Sequence, residues 1–119
     1  MGVSRTRWSD EASIRLAAGV ASYALDVPQV QIVGHARGSA AAAFARQLAM
    51  YLAHVAFELS LSRIAAAFGR DRSTVAHACH QIEDRREDPA FDAWVDSLEA
   101  MLRGAPPPGR PHFILEACP

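Results

Sequence analysis

Apolar residues recur along the chain at intervals of three and four, in blocks set apart by short polar, glycine or proline breaks. The first block predicts a helix from Ser9 to about Leu25, with Ile14, Ala18, Ala21 and Leu25 as its apolar stripe. Asp10 and Glu11 sit at its start, where the helix dipole favours anions. Asp26 and Pro28 mark a break before a short turn-like piece, Gln29 to Val33. Gly34 to Ala43 reads as a small-residue loop, although its alanine run could extend the next helix backwards. That next helix reaches Leu59 and is expected to bury Phe44, Leu48, Tyr51, Leu52 and Val55.

The stretch that follows carries the most information. Ser60 is a good N-cap, because its hydroxyl can accept from an orphan amide at a helix start. The short helix behind it buries Leu61, Ile64, Ala65 and Phe68, and Gly69 ends it by supplying a left-handed residue at little cost. Asp71 can cap the next helix, whose inward face is Val75, Ala78, Cys79 and Ile82. Two short amphipathic helices joined by such a turn form a helix-turn-helix, a motif whose second helix normally enters the DNA major groove. A last helix opens with Asp88 as cap and Pro89 at its first position. Its apolar face, Phe91, Trp94, Val95, Leu98, Met101 and Leu102, predicts core packing. Gly104 to Pro111 is too rich in proline to be helical, and Phe113-Ile114-Leu115 beyond it is a small apolar patch. The chain therefore divides into a flexible N-terminus over 1–8, a helical domain over 9–102 and a proline-rich tail over 103–119.

Composition narrows the class. The chain has 119 residues, half of them apolar, which suits one domain with a modest core. No apolar run approaches the roughly 18 residues of a membrane span, and no secretory signal is visible, so a cytoplasmic protein without membrane attachment is expected. Two cysteines make no disulfide framework. Every basic side chain other than histidine is arginine. The net charge of −1 is unusual for a DNA binder, since phosphate neutralisation supplies much of the affinity. The imbalance is local: Glu87, Asp88, Asp92, Asp96 and Glu99 follow one another without a base, and the chain before them is net positive.

Arg46-Gln47-Leu48-Ala49-Met50-Tyr51-Leu52, then Ser60-Leu61, Ile64, Phe68-Gly69-Arg70-Asp71, Ser73-Thr74-Val75, His77-Ala78-Cys79 and Ile82 agree in order and spacing with one bacterial family. The chain resembles, from about Ser9 to Leu102, the C-terminal DNA-binding domain (domain IV) of DnaA, the chromosomal replication initiator. The resemblance implies an all-α fold, a small multi-helix bundle with a helix-turn-helix of the Trp-repressor-like kind. It also implies binding of a short asymmetric duplex site, the initiator box, as a monomer. The ATPase module of the family's full-length members is not expected here, since no G-x-x-x-x-G-K-[ST] loop is present.

Carried over residue by residue, the resemblance places Asp71, Arg72, Ser73 and Thr74 at base edges and the adjacent backbone. Arg72 stands where the family usually has His, and arginine can pair bidentately with guanine N7 and O6. Asp71 is equally readable as a plain N-cap, whereas for Ser73 and Thr74 a simple preference for helix starts is the lesser reading. His77 is retained, but His80 and Gln81 replace a basic pair that usually grips phosphate. The loop before the third helix, normally rich in Arg and Lys, offers only His35 and Arg37. Ser62 replaces a proline, and Arg63, at a position often acidic, adds a positive charge. Arg46 and Arg70 complete the expected DNA-binding set.

His77, Cys79 and His80 invite a metal reading, but Cys79 should point to the core and no second cluster supplies further ligands. No cofactor and no catalytic constellation is expected. The leading expectation is a non-enzymatic protein that binds initiator-box-like duplex DNA and regulates replication initiation or transcription at the nucleoid. The alternative is a protein-interaction module that touches the initiator or its regulators, with little DNA affinity. The depleted basic loop, His80, Gln81, the acidic last helix and the apolar tail patch favour that alternative.

Overall fold

The computed structural model describes residues 2–34 and 38–106. They form six helices in the order α1 (Gly2–Leu25), α2 (Gln29–Val33), α3 (Ala40–Phe57), α4 (Leu61–Phe68), α5 (Arg72–Arg85) and α6 (Pro89–Arg103), with no strand among the described residues. The expected all-α bundle is therefore the fold observed. Its boundaries differ in instructive ways. Helix α1 begins at Gly2 rather than Ser9, and the turn-like piece 29–33 is a short helix seated by Ile32, which is fully buried. The alanine run does extend α3 backwards: Ser39 caps it by accepting from the Ala42 N–H at 3.1 Å. At its other end α3 stops at Phe57, where Glu58 takes up a left-handed conformation (φ 58°) that turns the chain toward α4.

Helices α1 and α3 make the most extensive contact in the molecule. Their buried positions are largely alanine, Ala17, Ala18 and Ala21 on α1 and Ala42, Ala45, Ala49 and Ala53 on α3. Small side chains let two helix backbones approach closely, so van der Waals contact comes from the backbones as well as the side chains. Leu48, Met50 and Leu52 of α3, Ile64 of α4, Val75 and Ile82 of α5, and Val95 and Leu102 of α6 fill the rest of one continuous core. Phe44 and Val55, expected to be buried, are only partly so, packed against the edge of the core, and Met101 of α6 is half exposed. Helix α3 thus serves as the central rod, with the α4–α5 pair on one side and α1 and α6 completing the bundle.

Candidate nucleic-acid interface

The helix-turn-helix is built by local chemistry that the residues dictate. The Ser60 hydroxyl accepts from the Arg63 N–H at 3.2 Å and starts α4. Gly69 ends it at φ 64°, and the N–H groups of Gly69 and Arg70 return to the carbonyls of Ala66 and Ala65 at 3.3 and 2.9 Å. Asp71 then occupies the N-cap position of α5 with an extended backbone, its carbonyl accepting from Thr74 and Val75. Its carboxylate, however, makes no capping hydrogen bond. The plain N-cap reading of the Asp71 side chain therefore has no support, and the carboxylate stays exposed and uncommitted at the helix start.

Val75, Ala78 and Ile82 turn α5 inward, so the opposite face lies open. Asp71, Arg72, Ser73 and Thr74 are exposed at its N-terminal end, and His77, His80 and Gln81 are exposed further along. The Gln81 amide nitrogen lies 3.5 Å from Nε2 of His77. Among the candidate residues, then, these seven are brought together on one helix. Ser62 is exposed at the start of α4. Arg37 and His35 lie outside the described residues, as does the tail segment carrying Phe113 to Leu115.

The arginines divide sharply. Arg46 donates from Nε to the Ile32 carbonyl at 3.0 Å and from Nη2 to the Gln31 carbonyl at 2.9 Å. Arg70 donates to the Gly34 carbonyl at 3.1 Å. Both guanidiniums thus satisfy orphan carbonyls at the C-terminal end of α2, where a helix dipole favours cations. Burial, and then the neighbouring Arg70 charge, pushes the Arg46 pKa below its ordinary value. Arg63 forms a two-point ion pair with Asp10 of α1, one arm at 2.9 Å, which raises its pKa and offsets the charge it was expected to add. Arg72 has no hydrogen bond or ion pair among the described residues.

Most of the acidic segment is engaged internally. Asp92, Asp96 and Glu99 of α6 all engage Arg86, just beyond α5, and Arg86 also donates to Tyr51 Oη at 3.0 Å. Burial by itself would lower the Arg86 pKa, but its hydrogen bonds to Asp92, Glu99, Tyr51 and Asp96 hold it above its ordinary value. Tyr51 donates to Glu83 of α5 at 2.8 Å, and burial, with that carboxylate, pushes its phenol up to about 12. Arg103 pairs with Glu99 at 3.2 Å and donates to the Val55 carbonyl. Arg85 lies over the rings of Phe44 and Phe91, 4.6 and 5.7 Å from their centroids.

Cys79 packs half-buried against the core, and burial followed by the Glu83 charge pushes its thiol up to about 11. No group of three or more metal-ligating side chains is assembled among the described residues. His54 closes the α3 end through a 2.8 Å contact with the Leu59 carbonyl. Reading the sequence alone missed Asp10 as the partner of Arg63, and Arg85 and Arg86 as ties to α3 and α6. Arg63 and Asp10 lie 53 residues apart, Arg86 and Tyr51 35, and Arg86 and Glu99 13, separations that no helical periodicity encodes.

Residues 18–82 match the profile of the family described as "Bacterial dnaA protein helix-turn-helix". The chain is 46% identical over 67 residues to the chromosomal replication initiator protein DnaA of Symbiobacterium thermophilum, covering 55% of this chain and 15% of that relative. It thus spans under a sixth of the relative's length. A crystal structure of a DNA replication initiation factor superposes with a TM-score of 0.75 at 27% identity, over 86% of this chain and 32% of the other. No described helix is long and apolar enough to cross a membrane.

Proposed function

This chain belongs to the bacterial DnaA helix-turn-helix family, and we propose that it binds duplex DNA in connection with replication initiation, with no catalytic step. The observation that carries the reading is the exposed, uncommitted start of α5: Asp71, Arg72, Ser73 and Thr74 present a carboxylate, a guanidinium and two hydroxyls with no competing side-chain partner among the described residues. Such groups at the N-terminal end of a second helix are what a major groove reads through. The sites it recognises are initiator-box-like, the working unit is the helical segment 9–102, and the place of action is the nucleoid. Arg72 pairs with guanine, and Thr74 offers its methyl to thymine. His77, His80 and Gln81 meet the adjacent backbone, with Ser62 and Arg63 contributing from α4. Arg46 and Arg70 act at one remove by holding the end of α2 that precedes Arg37, itself a minor-groove contact in this reading.

A second reading is favoured by one specific observation, the internal engagement of Arg46, Arg63 and Arg70. Among the described residues few cations are left uncommitted, so they neutralise few phosphates, and that suits a module acting through a protein partner in replication control. Chemical-shift mapping separates the two. Titration with an initiator-box duplex is expected to move the amide signals of residues 71–74, 77, 80 and 81 and to leave α6 unmoved. Uniform small shifts scattered over the surface, or none, would overturn the DNA reading.

A further inference from the structure

We propose that Arg85 and Arg86 are positioning residues that aim the recognition helix from its far end, making α6 part of the DNA-reading device. The inference rests on the DNA-binding reading above and concerns residues beyond the family-matched segment 18–82. At its N-terminal end α5 has no polar side-chain tie among the described residues: Asp71 makes no capping bond, and Arg72 has no hydrogen bond or ion pair there. At the other end three ties converge. Arg85 is held over Phe44 of α3 and Phe91 of α6. Arg86 is held by Tyr51 of α3 and by Asp92, Asp96 and Glu99 of α6. Glu83, on the same turn, accepts from Tyr51 at 2.8 Å. The two neighbouring arginines therefore grip both α3 and α6, Arg85 through rings and Arg86 through a hydroxyl on α3 and carboxylates on α6.

The lever is long enough to matter. Helix α5 has 14 residues and is about 21 Å long. A tilt of about 5° at the clamped end moves the other end by about 1.8 Å. A hydrogen bond to a base edge tolerates roughly 0.5 Å. Packing of Val75, Ala78 and Ile82 sets how deep α5 sits, while the terminal ties restrict its tilt.

The test uses two variants, Asp92→Asn/Asp96→Asn and Tyr51→Phe, in the full chain. Anisotropy on an initiator-box duplex and a scrambled duplex reads the ratio of the two affinities. The first variant removes two negative charges, so electrostatics alone predicts equal or tighter binding to both duplexes. The clamp predicts that the ratio falls about tenfold, roughly the value of one base-edge contact, in both variants. Loss of folded protein would weaken both duplexes alike and leave the ratio unchanged, so a purely structural role does not mimic the result. A wild-type chain that discriminates, with both variants discriminating equally well, overturns the clamp alone. A wild-type chain that does not discriminate overturns the DNA reading, and the clamp with it.

Discussion

Replacing Arg86 by methionine is expected to cost about 3 kcal/mol of folding stability. The guanidinium, 15% exposed, meets carboxylates of very different accessibility: Asp96 is 61% exposed, Asp92 43% and Glu99 9%. Solvent screens the first two, and exposed pairs of this kind contribute roughly 0.2–1 kcal/mol each. Glu99 cannot be treated so. Removing the partner of a buried charge costs about 3–5 kcal/mol, and the lower end applies because Arg103 keeps a 3.2 Å contact with the same carboxylate. Glu99→Gln should cost about 1–3 kcal/mol, since Arg86 retains its other acids. Asp96→Asn should cost less than about 1 kcal/mol. Urea denaturation followed by circular dichroism at constant m gives the ranking. The double variant Arg86→Met/Glu99→Leu should lie closer to wild type than Arg86→Met alone, because no buried charge is then left unpaired. An Asp96→Asn cost equal to that of Arg86→Met would refute the reasoning, as would a loss under about 1 kcal/mol for Arg86→Met.

Other outcomes follow from single residues. Gly69→Ala places a Cβ at φ 64° and should destabilise by about 1–2 kcal/mol, seen as a lower Tm. Cys79, with its thiol pushed up to about 11 by burial, should be almost wholly unionised at pH 8. Thiol reagents should therefore react with it far more slowly in the folded protein than in urea. Tyr51 is raised from 10.0 to about 12, first by burial and then by Glu83. Its contribution to stability is thus fully present below pH 10 and is lost as pH rises through about 12; denaturation series at pH 9 and pH 11 should show the decline flattened in Tyr51→Phe. Arg72→Ala should weaken binding by about 1–3 kcal/mol only where guanine is read. Equal weakening on every sequence would reduce Arg72 to a phosphate contact.

The parts of the fold legible in the sequence are those set within one or two helical turns. Ser60, Gly69 and the stripe Ile64, Phe68, Val75, Ala78 and Ile82 fix α4, the turn and α5 through caps and periodicity alone, and the structure shows each in that role. Asp88 and Pro89 likewise start α6, with the Asp88 carboxylate accepting from the Ala90 N–H. Long-range electrostatics were not legible. Arg63 reads as a free cation until Asp10 is found beside it, and the acidic run reads as a row of acids without a base until Arg86 is found among the α6 carboxylates. The exposed start of α5 was legible because exposure there follows from the inward turn of Val75 and Ala78. The engagement of Arg46 and Arg70 was not, because carbonyls left over at the end of α2 become targets only once α2 is known to be a helix.

The central claim is that the start of α5 reads duplex sequence. Fluorescence anisotropy on an initiator-box duplex and a scrambled duplex, each at two salt concentrations, tests it most directly. Tighter binding to the box at both salts, with a shallow salt dependence reflecting the few uncommitted cations among the described residues, is the predicted result. Weak, equal binding to the two duplexes would contradict the account and point to a protein partner instead.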